Sequence, residues 1–548
     1  MPTNYHFNCR FEVLCHNRSN FLLMIIMKSL LKDFFCYCFV MILPVIAFAG
    51  GHENVLRVGV ANGASTLDPG RDHSNVGSQY YVNAFNTLIG KNPHKAEIEF
   101  EPGLATSWKL ITPQLIELKI RKGVKFHNGE IMTVDDVIFS LQRMFDPSYP
   151  PYITRHNEYF ENMYRVEYVD DQTIRIYTKR PEPLMELLLN SQQSMIVPKK
   201  YIMGLTGHPE VDEFSDYEAF MLAPIGTGPY KISKFIPSEE TVYERFDEYW
   251  GQKAPFSQVV VKKISELSAR ITALVNGEVD LITNIPPDQI SVIDNNPDLK
   301  TVGMVTPLFH VVFYNTANPK MTKELRQALN FCIDRELLNV ALWENRSVVP
   351  NTHTYPQYGP YYTPEFMTFE YDQQKGKQII EQNGLKGTTV RFDTHPVYYT
   401  NGLLAAQAIG EMWAECGITQ NLNVQEKWTG GDPDMESRNW SNPMYFADPA
   451  GSFGTMWSPT GARVTAGTWT PKAEYTEMWN SFRYETDVAK RNKAYKDIMD
   501  YIREEAPLLV LYQPYESYGM RKDINWQPFP GHIPYVLDFG AGRISIKN

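Results

Sequence analysis

The sequence predicts an α/β protein in which short strands alternate with amphipathic helices, and three kinds of segment carry the prediction. In VKFHNG, Val124 to Gly129, apolar and polar residues alternate and the run ends on Asn128-Gly129, a pair that supplies left-handed turn residues. In KELRQALNFCIDRELLNVALW, Lys323 to Trp343, helical spacing puts Leu325, Ala328, Leu329 and Cys332 on one side of a helix. LVNGEVDLIT, Leu274 to Thr283, reads as a helix end, a turn and a strand. Mixed α/β lobes follow. A chain of 548 residues is too long for one ordinary core, so two or three domains are expected.

An apolar fraction of 43% and a charged fraction of 21% are those of a soluble globular protein. The first fifty residues stand apart. From Met27 the chain reads MKSLLKDFFCYCFVMILPVIAFAGG: Lys28 and Lys32 form a positive start, Phe34 to Phe48 is an apolar run, and Ala47-Phe48-Ala49 is a cleavage signal. Residues 27–49 are therefore expected to be a cleavable secretory signal peptide, the apolar run being short of the roughly 20 residues a membrane span needs. Residues 1–26 have no targeting logic and are expected to be an upstream extension, with translation starting at Met27. Removing residues 1–49 takes four basic and two acidic residues from totals of 52 and 63, leaving a net charge of −13. That balance disfavours nucleic-acid binding, which needs a basic face. Of six cysteines, Cys332 and Cys416 remain. Each falls in a helical stretch, where a free cysteine acts as a small buried hydrophobe; a disulfide between them is the alternative in an oxidising compartment. Neither count nor spacing suggests a metal site or a cofactor.

The segment VKFHNGEIMTVDDVIFSLQRM, Val124 to Met144, brings a histidine, acids and an arginine together and raises the question of a hydrolase site. The residues answer as scaffold. Thr133 and Asp136 have the spacing of a capping box, and Asp135 and Asp136 lie in a first helical turn, where the dipole favours negative charge. Val134, Val137, Ile138, Leu141 and Met144 then repeat as one buried face. Elsewhere no nucleophile elbow, HExxH or Walker loop occurs. PIGTGPY, Pro224 to Tyr230, holds a G-x-G, but Pro229 and the alternating KISKF continue as a strand rather than a helix, which argues against a dinucleotide loop.

Six segments taken in order resemble the family 5 extracellular solute-binding proteins, the binding components of peptide, nickel and related ATP-driven importers. They are LRVGVANGASTLDP from Leu56, EPGLATSWKL with IELKIRKGVKFHNGEIMTVDDVIFSLQRM from Glu101, PIGTGPYKISKF from Pro224, DEYWG from Asp247, ARITALVNGEVDLI from Ala269 and LRQALNFCIDRELL from Leu325. The resemblance implies a bilobal periplasmic-binding-protein-like fold of type II, with an extra third domain and a ligand cleft between lobes. Carried over, lobe I would hold residues 50–90, 196–303 and 506–548, the extra domain 91–195, and lobe II 304–505. It also implies a periplasmic, monomeric, non-enzymatic protein that closes on a peptide-sized solute and meets an ABC permease. The alternative class is a secreted hydrolase using a carboxylate pair.

In peptide-binding relatives a tryptophan followed three residues later by an aspartate lies within the stretch RNWSNPMYFADPAGSFGTMW, and that aspartate holds the peptide ammonium. Here Trp440 is followed at that distance by Pro443, and Tyr445 by Asp448. The second register is preferred, with a simple Asp448-Pro449 turn as its alternative. Trp440 and Tyr445 suit stacking against a solute. Without an amine anchor the solute would be an oligosaccharide, an opine-like conjugate or a metal chelate. Arg391 could pair with a ligand carboxylate or make a structural ion pair. Asn83, Phe85 and Asn86, and Tyr314 with Asn315, fall near the expected lobe junctions and could line the cleft.

Overall fold

Three larger sheets organise the chain in the computed structural model, which describes residues 54–71, 74–148, 157–205, 218–426, 432–532 and 535–547. These belong to one compact unit, Asn54–Asn548. The expected upstream extension and signal peptide lie outside the described residues.

The first sheet has seven strands in the order Leu299–Val305, Tyr515–Arg521, Leu281–Ile282, Val55–Val60, Gln258–Lys263, Glu240–Arg245, Tyr230–Ile236. Val55–Val60, VLRVGV, is its centre, parallel to Gln258–Lys263 on one side and Leu281–Ile282 on the other. Parallel neighbours require a crossover, and the helix Leu267–Val275 lies between those two flanking strands in sequence. The second sheet has five strands in the order Thr419–Val424, Thr389–Thr394, Ser437–Pro443, Leu308–Tyr314, Leu508–Tyr512. Leu308–Tyr314, LFHVVFY, is buried at all its positions, as a near-continuous apolar run with both faces covered should be. A third sheet, wholly antiparallel, orders Ala105–Thr112, Leu115–Ile120, Thr173–Thr178 and Met163–Asp170.

Two connections run side by side from the first sheet to the second. One joins Leu299–Val305 to Leu308–Tyr314, the other Leu508–Tyr512 to Tyr515–Arg521. Thr306 N donates to Pro514 O at 3.0 Å and Gln513 Nε2 to Thr306 O at 3.3 Å. Two short adjacent crossings have the geometry of a hinge, because few backbone angles need change for the sheets to swing. The return crossing falls at Gln513-Pro514 rather than at 506, since Leu508–Tyr512 pairs with Leu308–Tyr314 and so belongs to the second sheet.

The helix expected to place Leu325, Ala328 and Leu329 on one side forms as Lys323–Phe331 with those residues buried, and a second helix, Arg335–Trp343, follows, started by the Asp334 carboxylate accepting from Leu337 N at 2.9 Å. One local expectation is corrected. Cys332 and Cys416 are disulfide-bonded, not free thiols. Each cysteine is the residue that ends its helix, Lys323–Phe331 or Gly402–Glu415. Those helix ends meet in one apolar cluster, with the Cα atoms 6.4 Å apart, within reach of a disulfide.

The Val124 to Met144 segment is scaffold at every charged position whose contacts the structure records. The Thr133–Asp136 capping box forms, with Thr133 N donating to Asp136 Oδ2 at 2.8 Å. Asp136 Oδ1 accepts from Lys199 N. Arg143 reaches Asp68 Oδ1 at 2.5 Å, and both residues are buried. His127 accepts from Gly226 N at Nδ1 and donates from Nε2 to Gly228 O, which fixes a neutral tautomer. Burial holds its pKa near 4. The glycines of PIGTGPY serve close approach: a Cβ on Gly226 would sit 2.0 Å from Ala84 O.

Candidate functional site

The strand Ser437–Pro443, paired with Leu308–Tyr314, carries a chemically distinctive group of side chains. Arg438 and Trp440 are two residues apart and so share a face; register pairs Phe313 with Arg438 and Val311 with Trp440. The Arg438 guanidinium lies 4.4 Å from the Trp440 ring centroid. Arg463, from the short helix Ala462–Thr465, brings a second guanidinium over the same two rings, 4.4 Å from Phe313 and 5.2 Å from Trp440. Two buried cations therefore share an aromatic wall. Burial, then the like charge of Arg438, pull the Arg463 pKa from 12.5 down to about 9, and burial pulls Arg438 to about 10. Both remain cations, because a guanidinium is not deprotonated in proteins.

On the opposite face of the same strand, Ser441 touches the half of the chain built on the first sheet. Ser441 Oγ accepts from Asn75 Nδ2 at 3.1 Å and lies 3.1 Å from the Tyr399 hydroxyl. Tyr399 feels the charges of Arg438 and Arg463. On the first sheet, one residue beyond the return crossing strand's start, Glu516 is 2% exposed, with Asn284 Nδ2 at 3.4 Å from its Oε2. Burial pushes its carboxyl from 4.5 up to about 8. Between those values the unfolded chain ionises Glu516 while the folded chain keeps it protonated. Its contribution to stability is therefore full below pH 4.5, falls as pH rises, and levels off above 8. Glu516→Gln should leave the urea midpoint unchanged near pH 4 and raise stability by roughly 2–4 kcal/mol at pH 8. An equal difference at both pH values would contradict this.

The residues singled out from sequence are distributed unevenly around this region. Trp440 is in it, half-buried. Asp448 is elsewhere: 2% exposed, its Oδ2 lies 2.5 Å from Arg491 Nη1, its Oδ1 lies 2.8 Å from Arg491 Nη2, and Ala450 N donates to Oδ1. This is the turn-forming alternative with a buried ion pair added, and the carboxylate's charge is matched inside the fold. Burial works against the Arg491 cation, but the charge and hydrogen bonds of Asp448, with those of Tyr361, together outweigh it and raise its pKa. Tyr445 is buried and meets Tyr159 edge-on, with centroids 6.4 Å apart. Arg391 makes the structural pair, bidentate to Asp393 at 2.7 and 3.0 Å and 2.6 Å from Asp432. Asn83 binds the C-terminal segment through Leu537 O and Phe539 N. The Tyr314 hydroxyl donates to Asn330 Oδ1, and Asn315 donates to Pro433 O and Met435 O, all within the core. Phe85 and Asn86 line a cavity of about 280 Å³ with Lys91, Trp250, His532 and Arg543.

Sequence reading missed Arg438, Arg463, Tyr399 and Glu516. Arg438 had a signal, since R-x-W on a strand puts a cation and an indole on one face. Arg463 had none, because its partners come from two other segments.

Bacterial extracellular solute-binding proteins, family 5 Middle, match this chain over residues 99–463. The dipeptide-binding protein of Escherichia coli (strain K12) is 25% identical over 458 residues, which are 78% of this chain and 83% of that protein. Heme-binding protein A of Haemophilus influenzae is 25% identical over 446 residues, 75% of this chain and 79% of that protein. Among solved structures, the ABC transporter-associated periplasmic binding protein DppA from Helicobacter pylori, in complex with the peptide STSA, aligns with a TM-score of 0.78 at 23% identity. It covers 90% of this chain and 98% of that one. The likeness shows the fold, a bilobal periplasmic-binding-protein architecture, as the resemblance implied.

Proposed function

This chain belongs to the family 5 bacterial extracellular solute-binding proteins, and from that premise we propose that it captures a peptide or peptide-sized solute between its two lobes and delivers it to the permease of an ABC importer. The observations that carry the reading are the pair of adjacent crossings at Thr306 and Pro514 and, on the strand paired with Leu308–Tyr314, a wall of Trp440, Arg438 and Arg463. A solute touching both halves favours the closed form by its differential affinity for the two states. Aromatic walls with a few placed polar groups are what such a pocket requires. The protein works as a monomer in the periplasm, reached through the signal peptide at 27–49, and breaks no bond. The carboxylates Asp136, Asp393 and Asp448 are held by caps or arginines, which supports binding over hydrolysis.

A second reading has its own observation. Asp448 already holds Arg491, so the ammonium anchor expected at that position is otherwise engaged, and this favours a solute without a free amine: an oligosaccharide, an opine-like conjugate or a metal chelate. Incubating the exported protein with a mixed di- and tripeptide pool tests the main reading. Peptide retained on the protein and recovered intact supports it, whereas peptide consumed indicates the hydrolase class.

A further inference from the structure

Arg463 is 8% exposed, and its Nε is buried without an acceptor; neither Nη has an acceptor or a carboxylate within ion-pair distance among the described residues. Six other buried arginines are matched: Arg143 by Asp68, Arg483 by Glu182 and Arg491 by Asp448, while Arg270, Arg326 and Arg335 donate to runs of backbone carbonyls. Arg463 instead stands against the faces of Phe313 and Trp440, with the cationic Arg438 over the same rings. Ring faces offset only part of the cost of removing a guanidinium from water, and a like charge alongside adds to it. A fold that matches six other buried arginines and leaves this one facing rings offers it no anion among the described residues.

We propose that Arg463 anchors a carboxylate of the captured solute, with Phe313 and Trp440 as its walls and Arg438 reinforcing the positive field. The planar guanidinium fork matches a carboxylate bidentately. The substrate class is then a solute with an anionic end, such as a peptide's C-terminus or an acidic conjugate, rather than a neutral oligosaccharide. The inference rests on the solute-binding reading.

The test is calorimetric titration of the full exported chain with a panel of di- and tripeptides and with the same peptides as C-terminal amides, repeated on Arg463→Gln and Arg463→Lys. The free acids should bind parent protein at least ~30-fold more tightly than the amides, the low end of what an unpaired buried charge costs. Arg463→Gln should abolish that preference, Arg463→Lys should keep part of it, and ligand-free Arg463→Gln should melt at or above the parent temperature. Acids and amides binding parent protein equally would overturn the anchor and leave the binding-protein reading standing. Binding of neither series would overturn the peptide reading together with the anchor. A lowered melting temperature in Arg463→Gln with the acid preference intact would make Arg463 a structural residue.

Discussion

Asp448→Ala should lower the unfolding free energy by about 3–5 kcal/mol, because it leaves the Arg491 guanidinium buried without its anion. Arg491 is 1% exposed, donates to both carboxylate oxygens and also to Phe482 O, and lies against the faces of Tyr361 and Phe482. It cannot swing into water without opening that packing. The double variant Asp448→Ala/Arg491→Met removes both charges and should recover most of the loss, since a buried pair replaced by apolar side chains is often near neutral. Urea midpoints of the parent, single and double variants check this. Unchanged stability in Asp448→Ala together with lost binding of amine-bearing solutes would return Asp448 to the ligand site.

The second large effect belongs to the disulfide. Cys332 and Cys416 are separated by 84 residues, a loop long enough that cross-linking strongly restricts the unfolded chain. Replacing both cysteines by serine should cost about 2–4 kcal/mol. Helix contacts in that cluster do not depend on the bond: Trp413 Nε1 donates to Leu329 O at 3.2 Å, and the Gly376 Cα leaves no room for a Cβ beside Cys332 Sγ. The variant should therefore fold at 25 °C and show a reduced urea midpoint, and reductant should bring the parent protein to the same value. A parent midpoint unaffected by reductant would contradict the prediction.

What could be read from sequence was local, and what could not was long-range. The capping box of Thr133 and Asp136 depends on residues within a few positions of one another, so spacing revealed its role, whereas Gly226 and Gly228, expected as a turn, serve close approach to Ala84 far off in the chain. Ordered motifs located the family, and with it the bilobal fold. The fate of Asp448 turned on Arg491, 43 residues away, whereas that of Arg391 turned chiefly on Asp393, two positions on in the same strand, with Asp432, 41 away, added. A carboxylate awaiting a ligand and one already paired look identical in sequence. Arg463, Phe313 and Trp440 meet because a short helix and two paired strands converge, and no local pattern announces such a meeting. The disulfide was open from sequence for the same reason: two helix ends had to be placed in one cluster before the cysteines could be paired.

The central claim is that a solute shuts two halves of the chain about the crossings at Thr306 and Pro514. Small-angle scattering of the protein, before and after saturation with a peptide retained from the mixed pool, measures this most directly. A smaller radius of gyration in the loaded protein, with the peptide recovered unaltered, is the predicted result. An identical scattering profile in the two states, with the solute demonstrably bound, would contradict it.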